Sequence, residues 1–318
     1  MKKLWRKIGK ICLIVLGSIV GLAFVVIAVF NVLKFVIYDE YYAMEQSLCK
    51  NPGFSDGFVC QGVCASEENG LLLVTGYMQD HSASRIYMTT LDNKVRFISL
   101  SQGGEPFTGH CGGIATTGER VFVVCNNSIY TLSLADVIGA ENGAVLDVGE
   151  GLEVNNEAAY AYTDDEYLYV GEFHDGGKYN IVGHENETKE GTHYAICSQY
   201  DLDDLTKPVK VFSVRNKVQG ICFMPDGKVV MSTSYGLASS AYYVYDLSTA
   251  TDSGKTFDGA PLYYFDVLER EVSGPAMAEG MDYYDGKIIT LTESASNKYI
   301  FGKFFNARYI VSLDLSKK

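Results

Sequence analysis

Five polar residues head similar short phrases along the chain: Gln61-Gly62-Val63, His110-Cys111-Gly112, Glu157-Ala158-Ala159, Gln219-Gly220-Ile221 and Glu279-Gly280-Met281. Their separations are 49, 47, 62 and 60 residues. Two carboxylates, one imidazole and two amides brought to one place suit recognition of a small polar or cationic ligand, or of a divalent cation. Crowded carboxylates raise one another's pKa unless a cation neutralises them. Calcium suits the carboxylate and amide oxygens, and His110 shifts the preference toward zinc or manganese, with Glu157, Glu279 and His110 as candidate metal ligands. A purely structural use competes with these: such residues hydrogen-bond neighbouring repeats and internal water. No GxSxG, P-loop, HExxH or paired CxxC occurs, and of the five histidines only His110 falls in the series. A Ser-His-Asp triad is therefore not expected, and no catalytic residue is assigned.

The elements that must position these residues are short strands. After each phrase come a turn and an apolar run: Leu71–Thr75, Val121–Val124, Tyr167–Gly171, Val229–Thr233 and Ile288–Thr292. The turn before Val229 is Pro225-Asp226-Gly227, a strong hairpin signal. Third runs follow at Arg85–Leu91, Ser128–Leu134, Tyr194–Leu202, Ala241–Leu247 and Tyr309–Leu315, and fourth runs at Lys94–Leu100, Ala144–Val148, Val209–Val214 and Leu262–Val267. Several strands per repeat of this size are the signature of a β-propeller. The expected fold is all-β, a five-bladed β-propeller preceded by one N-terminal transmembrane helix. The fifth repeat lacks a fourth strand of its own, so a donor between Tyr41 and Phe58 is expected to close the ring, with a three-stranded last blade as the alternative.

Residues about 15 positions after each leading residue should end the second strand at the same rim. That places Tyr77, Asn126, Glu172, Ser234, Tyr235 and Glu293 around Gln61, His110, Glu157, Gln219 and Glu279, with Ser294, Asn297 and Lys298 nearby. By the same offset Cys111 and Cys125 face each other across a hairpin, a candidate disulfide with two buried thiols as the alternative. The insertion from His174 to Thr192, with His184, Glu185 and the glycosylation-type triplet Asn186-Glu187-Thr188, reads as an exposed polar loop.

Residues 1–10 form a basic flank carrying Lys2, Lys3, Arg6, Lys7 and Lys10, and Ile11 to Phe30 is an uncharged run of 20 residues. Read as a span over 11–37, it puts the N-terminus in the cytoplasm and the rest outside a single-pass membrane protein; a cleaved signal peptide is the alternative. A juxtamembrane linker over 38–52 and an extracellular propeller over 53–318 complete the expected organisation. Residues 1–38 carry six of the 26 basic residues and no acidic one, so the remainder has a net charge of −19. So acidic an exterior argues against nucleic acid and against docking on an anionic membrane surface, and suits cations or basic partners. Seven of the eight cysteines lie in this part, an odd number, with no zinc-ribbon spacing.

Phrases such as Val218-Gln219-Gly220-Ile221 and Ala278-Glu279-Gly280-Met281 resemble the repeats of bacterial propeller proteins of the YVTN/NHL and gluconolactonase-like class. The resemblance implies a channel site in which Glu157, Glu279 and Asn126 hold a divalent cation. Glutaminyl cyclases of the bacterial-plant type are similar in their Gln-Gly and Glu-Gly starts. Their sites are tryptophan-rich, whereas the single tryptophan here is Trp5. The functional expectation is a membrane-anchored binding or scaffold module for a small polar or cationic ligand or a protein partner; the alternative is a metal-dependent hydrolase or lactonase at the same rim.

Overall fold

In the computed structural model, which describes residues 2–317, the glycine after the leading polar residue explains the repeated phrase. An added Cβ at Gly62 would lie 2.7 Å from the Ile114 nitrogen, at Gly220 2.9 Å from the Met281 nitrogen, and at Gly280 2.9 Å from the Gly62 Cα. The innermost strands of successive blades thus meet backbone to backbone about a central axis, where only the smallest side chain fits. In the second blade Gly112 and Gly113 approach the Ala159 carbonyl and the Ala161 nitrogen of the third in the same way.

Five antiparallel blades follow in chain order, each with its innermost strand first. Blade 1 holds Phe58–Ser66, Leu71–Met78, Arg85–Thr89 and Val95–Gln102, and blade 2 Gly113–Thr116, Arg120–Cys125, Ser128–Ser133 and Leu152–Glu153. Blade 3 holds Tyr160–Thr163, Tyr167–Gly171, Ala195–Asp201 and Lys210–Val214, and blade 4 Val218–Phe223, Lys228–Thr233, Ser240–Asp246 and Leu268–Gly274. Blade 5 holds Ala278–Tyr284, Lys287–Thr292 and Tyr309–Leu313, and its outermost strand is β1, Glu45–Lys50, from the other end of the chain. The ring is therefore closed by a borrowed strand. β1 runs antiparallel to Tyr309–Leu313, pairing Glu45 with Leu313 and Lys50 with Tyr309.

Two expected fourth strands lie elsewhere. Val145–Asp147 adds in parallel to the outer strand of blade 1, and Ala260–Phe265 adds in parallel to that of blade 3. Each is a crossing segment that caps the preceding blade's edge; the true fourth strands, Leu152–Glu153 and Leu268–Gly274, follow it. Apolar alternation marks a strand but not the edge it joins.

The segment expected as a linker is folded onto the propeller. Helix α1, Lys2–Ile37, is followed by α2, Asp39–Met44, and then directly by β1. Tyr41 and Met44 are buried, Tyr41 stacks on Tyr242 at 5.7 Å, and Glu40 pairs with Arg270 at 2.6 Å. The α1 segment is a single N-terminal apolar helix long enough to cross a membrane, and none of its apolar window is buried. At about 1.5 Å per residue its uncharged stretch spans roughly 30 Å, a bilayer core.

Replacing Gly280 with Val should lower stability by about 1–3 kcal/mol, because the obstructing atoms are backbone and cannot rotate away. Gly118→Ala, at a position with no atom within 4 Å, should leave the melting temperature unchanged. Thermal unfolding of the two variants tests this; equal melting temperatures would disprove the close-approach account.

Candidate functional site

At three blade starts the leading residue sits in a β-bulge. The ladder skips from Cys60 to Gly62, from Val218 to Gly220 and from Ala278 to Met281, leaving Gln61, Gln219 and Glu279 without a cross-strand partner. A bulged residue is free of the pleat's alternation, and here its side chain turns into the central funnel. The funnel is a cavity of about 620 Å³ lined by Gln61, Tyr77, His110, Asn126, Glu157, Gln219, Ser234, Tyr235, Glu279 and Glu293. Of the residues expected at or around the rim, Glu172, Ser294 and Asn297 stand outside it. Phe173, Lys178, Tyr179 and Tyr299 line it as well and were not anticipated, and Lys298 joins them. Phe173 directly follows a rim position and Tyr299 follows Lys298, but Lys178 and Tyr179 come from an insertion without strand pattern, so no spacing marked them.

A carboxyl pair forms the floor. Glu279 is only 3% exposed, and burial raises its pKa well above the carboxylate range, followed by the charge of Glu293; Lys298 opposes. Glu293 is pushed up to about 7 by burial, against the hydrogen bond from Tyr299, the charge of Lys298 and the hydrogen bonds from Gln61 and Glu279. Burial and the neighbouring carboxyl thus both favour a neutral Glu279, and burial favours a neutral Glu293 as well.

Hydrogen bonds lead outward from the pair. Gln61 Nε2 donates to Glu293 Oε2 at 2.8 Å and to the Cys60 carbonyl at 2.8 Å. Its Oε1 then accepts from His110 Nε2 at 2.7 Å, which fixes the imidazole tautomer. The surrounding protein, then Lys298 and Lys178, hold the His110 pKa below its ordinary value although the ring edge is open at the mouth, so it is neutral at pH 7. His110 lies against Tyr77 with ring centroids 4.3 Å apart, and the Lys298 ammonium, hydrogen-bonded to the Tyr77 hydroxyl, stands over the Tyr77 and Tyr299 rings. Gln219 Nε2 reaches Glu279 Oε1 at 3.4 Å. In blade 2 the rim loop is only Asn126-Asn127, both at positive φ, a two-residue turn joining Cys125 to Ser128.

Glu172 has a different task. Fully buried, its carboxylate accepts from the Glu157 and Ile196 amides, each at 3.0 Å, and contacts His184 Nδ1 at 2.9 Å. His174 is also buried, stacks on Tyr194 at 4.7 Å and accepts from the Ile181 amide. The blade-3 insertion is thus anchored by its own polar core and is not simply an exposed loop. Ser294 is buried against Thr292, and Asn297 bonds the Phe54 carbonyl.

Cys111 and Cys125 meet as free, fully buried thiols, not as a disulfide. The register pairs Gly113 with Val124, so Cys111 lies one step off the position opposite Cys125, and the two thiols contact each other diagonally. Among the described residues no group of three or more His, Cys, Asp or Glu is arranged to hold a metal ion. Glu157, Glu279 and His110 share the cavity wall without forming such a cage.

No protein-family model matches the chain, and no curated protein matches it in sequence. Solved structures with a similar chain path include the glutaminyl cyclase of Myxococcus xanthus, at 11% identity and a TM-score of 0.45 over 85% of this chain and 95% of that one. A putative glucose dehydrogenase-type oxidoreductase of Thermus thermophilus aligns at 10% identity and a TM-score of 0.46, covering 85% of this chain and 99% of that one. The PQQ-bound aldose sugar dehydrogenase of Streptomyces coelicolor aligns at 14% identity and a TM-score of 0.43, over 78% and 76%. The chain is a five-bladed propeller by its own strand order and ring closure; these likenesses carry no ligand or activity across.

A raised carboxyl pKa contributes stability that is present below about 4.3, the unfolded value, and is lost as pH rises through the folded value near 7. The wild type should therefore lose stability relative to the Glu279→Gln/Glu293→Gln double variant between pH 5 and pH 8, measured by thermal unfolding in detergent. If the wild type instead gains on the variant over that range, the carboxyls are ionised.

Proposed function

We propose that the protein is a membrane-anchored, extracytoplasmic binding module whose cavity takes a small ligand bearing a protonated amine or guanidinium. The observation that carries this is the Glu279–Glu293 carboxyl pair, with Glu279 buried and both on the wall of an aromatic-lined cavity. One proton neutralises only half of such a pair, and a ligand cation can take the proton's place while keeping both carboxylates charged. Tyr77, Phe173, Tyr179, Tyr235 and Tyr299 supply aromatic wall for the ligand's apolar parts. Lys178 and Lys298 near the mouth suit an acidic group at the ligand's other end, so a zwitterion uses more of the site than a simple amine. The five basic residues ahead of the apolar run support a cytoplasmic N-terminus, with the propeller outside.

A divalent cation fits the residues less well. The donors needed for a carboxylate and imidazole cage are spread around the wall. The metal-dependent hydrolase reading therefore has no donor set to rest on among the described residues.

Calorimetric titration of the full chain in detergent with small amines, amino acids and dicarboxylates tests the proposal. Amines and amino acids should bind more tightly at pH 8 than at pH 5.5 and release a proton on binding, seen as a heat that varies with the buffer. Glu279→Gln should weaken them by roughly tenfold or more, about 1.4 kcal/mol. Lys298→Ala should weaken amino acids but not simple amines. Binding of dicarboxylates alone would overturn the assignment, as would amine affinity independent of pH.

A further inference from the structure

The two loops that receive the membrane helix are also walls of the cavity. Asn31 Nδ2 donates to the Phe304 carbonyl at 3.2 Å, Lys34 Nζ donates to the Phe305 carbonyl at 2.9 Å, and the Phe30 and Phe305 rings meet edge to face at 5.2 Å. Phe304 and Phe305 belong to the blade-5 loop that supplies Lys298 and Tyr299 to the cavity. Tyr38 bonds Ser239 at 3.0 Å, in the blade-4 loop that supplies Tyr235 and Gly236. From Tyr38 the chain descends the side of the propeller, and the Met44 carbonyl accepts from Asp314 at the opposite end of blade 5. Helix α1 therefore leaves from the cavity side, with residues 3–26 exposed along its length.

No spacer separates this face from the apolar run. Phe30, the last residue before Asn31 interrupts the apolar run, is itself docked on the rim loop, so a bilayer around Ile11 to Phe30 begins where the rim begins. The rim loops on that side are tipped with exposed apolar residues: Tyr179 and Val182 in blade 3, Tyr235 and Leu237 in blade 4, Ile300 and Phe301 in blade 5. Ile300 is 73% and Phe301 63% exposed. The corresponding loops of blades 1 and 2, residues 79–84 and Asn126-Asn127, carry no large exposed apolar side chain. Within a domain of net charge −19, Lys178, Lys298 and Lys303 stand among these tips without an ion pair among the described residues. Apolar tips interleaved with lysines match the headgroup layer of a bilayer, where aromatic and aliphatic side chains insert and ammonium groups meet phosphates.

We infer that the cavity-bearing face of the propeller rests on the membrane surface, held there by the apolar tips of the blade-3, blade-4 and blade-5 rim loops beside the anchor helix. This rests on the reading of α1 as a membrane span. The cavity then opens onto the headgroup layer, and its ligand arrives along the bilayer.

Trp5 is the only tryptophan, so a Trp5→Phe background gives a silent chain into which one reporter is placed. The full chain is reconstituted in nanodiscs of mixed phosphatidylcholine and phosphatidylglycerol, with or without lipid brominated high on the acyl chain. Phe301→Trp should give blue-shifted emission that brominated lipid quenches. Leu91→Trp, an exposed apolar position in the turn after the third strand of blade 1, at the end away from the cavity, should give neither. A chain that does not incorporate into nanodiscs defeats the span itself. One that incorporates but shows equal quenching at the two positions overturns the docking inference while leaving the anchor standing.

Discussion

The contact on which the rest depends is the backbone-to-backbone approach of the innermost strands around the axis. An added Cβ at Gly280 would sit 2.9 Å from the Gly62 Cα, and one at Gly220 3.0 Å from the Gly280 Cα. His110 and Glu157 enter the funnel from loops ahead of their strands; strands this close leave no room for inward side chains along the axis, so the innermost strands themselves supply polar groups only where the ladder bulges. Bulges at Gln61, Gln219 and Glu279 supply them, and the same glycines that permit the approach sit immediately beyond the bulged residues. Ser232 and Thr290, on the second strands of blades 4 and 5, donate to the Glu279 and Gly280 carbonyls and satisfy backbone groups that the irregular ladder leaves over. Packing, bulge and site are one arrangement.

The electrostatics follow from that geometry. Glu279 is buried because it belongs to the innermost strand, and Glu293 ends the second strand of the same blade, so the hairpin forces two carboxyls together. Neither can hold a full charge at neutral pH without a counter-charge, and the nearest ammonium, Lys298, comes from a loop at the mouth, not from the floor. Gln61, held by the Cys60 carbonyl as well as by Glu293, links the pair to His110 at the rim. Asp282, at the other end of the innermost strand of blade 5, is pushed up to about 7 by burial, yet it is occupied: Ala65 of blade 1 and Tyr283 donate their amides to it. It braces two blades while also lining a second cavity, with Asp164, Asp165 and Glu67.

Closure of the ring ties the N-terminal apolar helix to the site. The outermost strand of blade 5 is β1, which is continuous through α2 with α1. The helix cannot tilt freely relative to the propeller, because its end is fixed by β1 on one side and by the rim loops at Phe304, Phe305 and Ser239 on the other. A chain joined through an extended linker would have no such constraint.

The sequence by itself determined the repeat, the number of blades and the rim. Glycine spacing, hairpin turns and apolar runs are local consequences of backbone sterics and burial, and they are written in neighbouring residues. Tyr77, Asn126, Ser234, Tyr235 and Glu293 followed from counting along hairpins from the leading residues, because antiparallel register is fixed by strand and turn length. Tertiary structure alone decided the rest. Whether Val145–Asp147 and Ala260–Phe265 join their own blade or the one before is a choice between two edges of equal chemistry. The one-residue register that separates Cys111 from Cys125 depends on where the innermost strand begins, and the inward turn of Glu172 depends on the fold of the insertion beyond it. Lys178, Tyr179 and Tyr299 reach the cavity through loops whose paths are set by packing against distant elements, and α1 itself is one of these. Contacts made across tens or hundreds of residues leave no periodic trace in the chain, so these features appear only once it is folded.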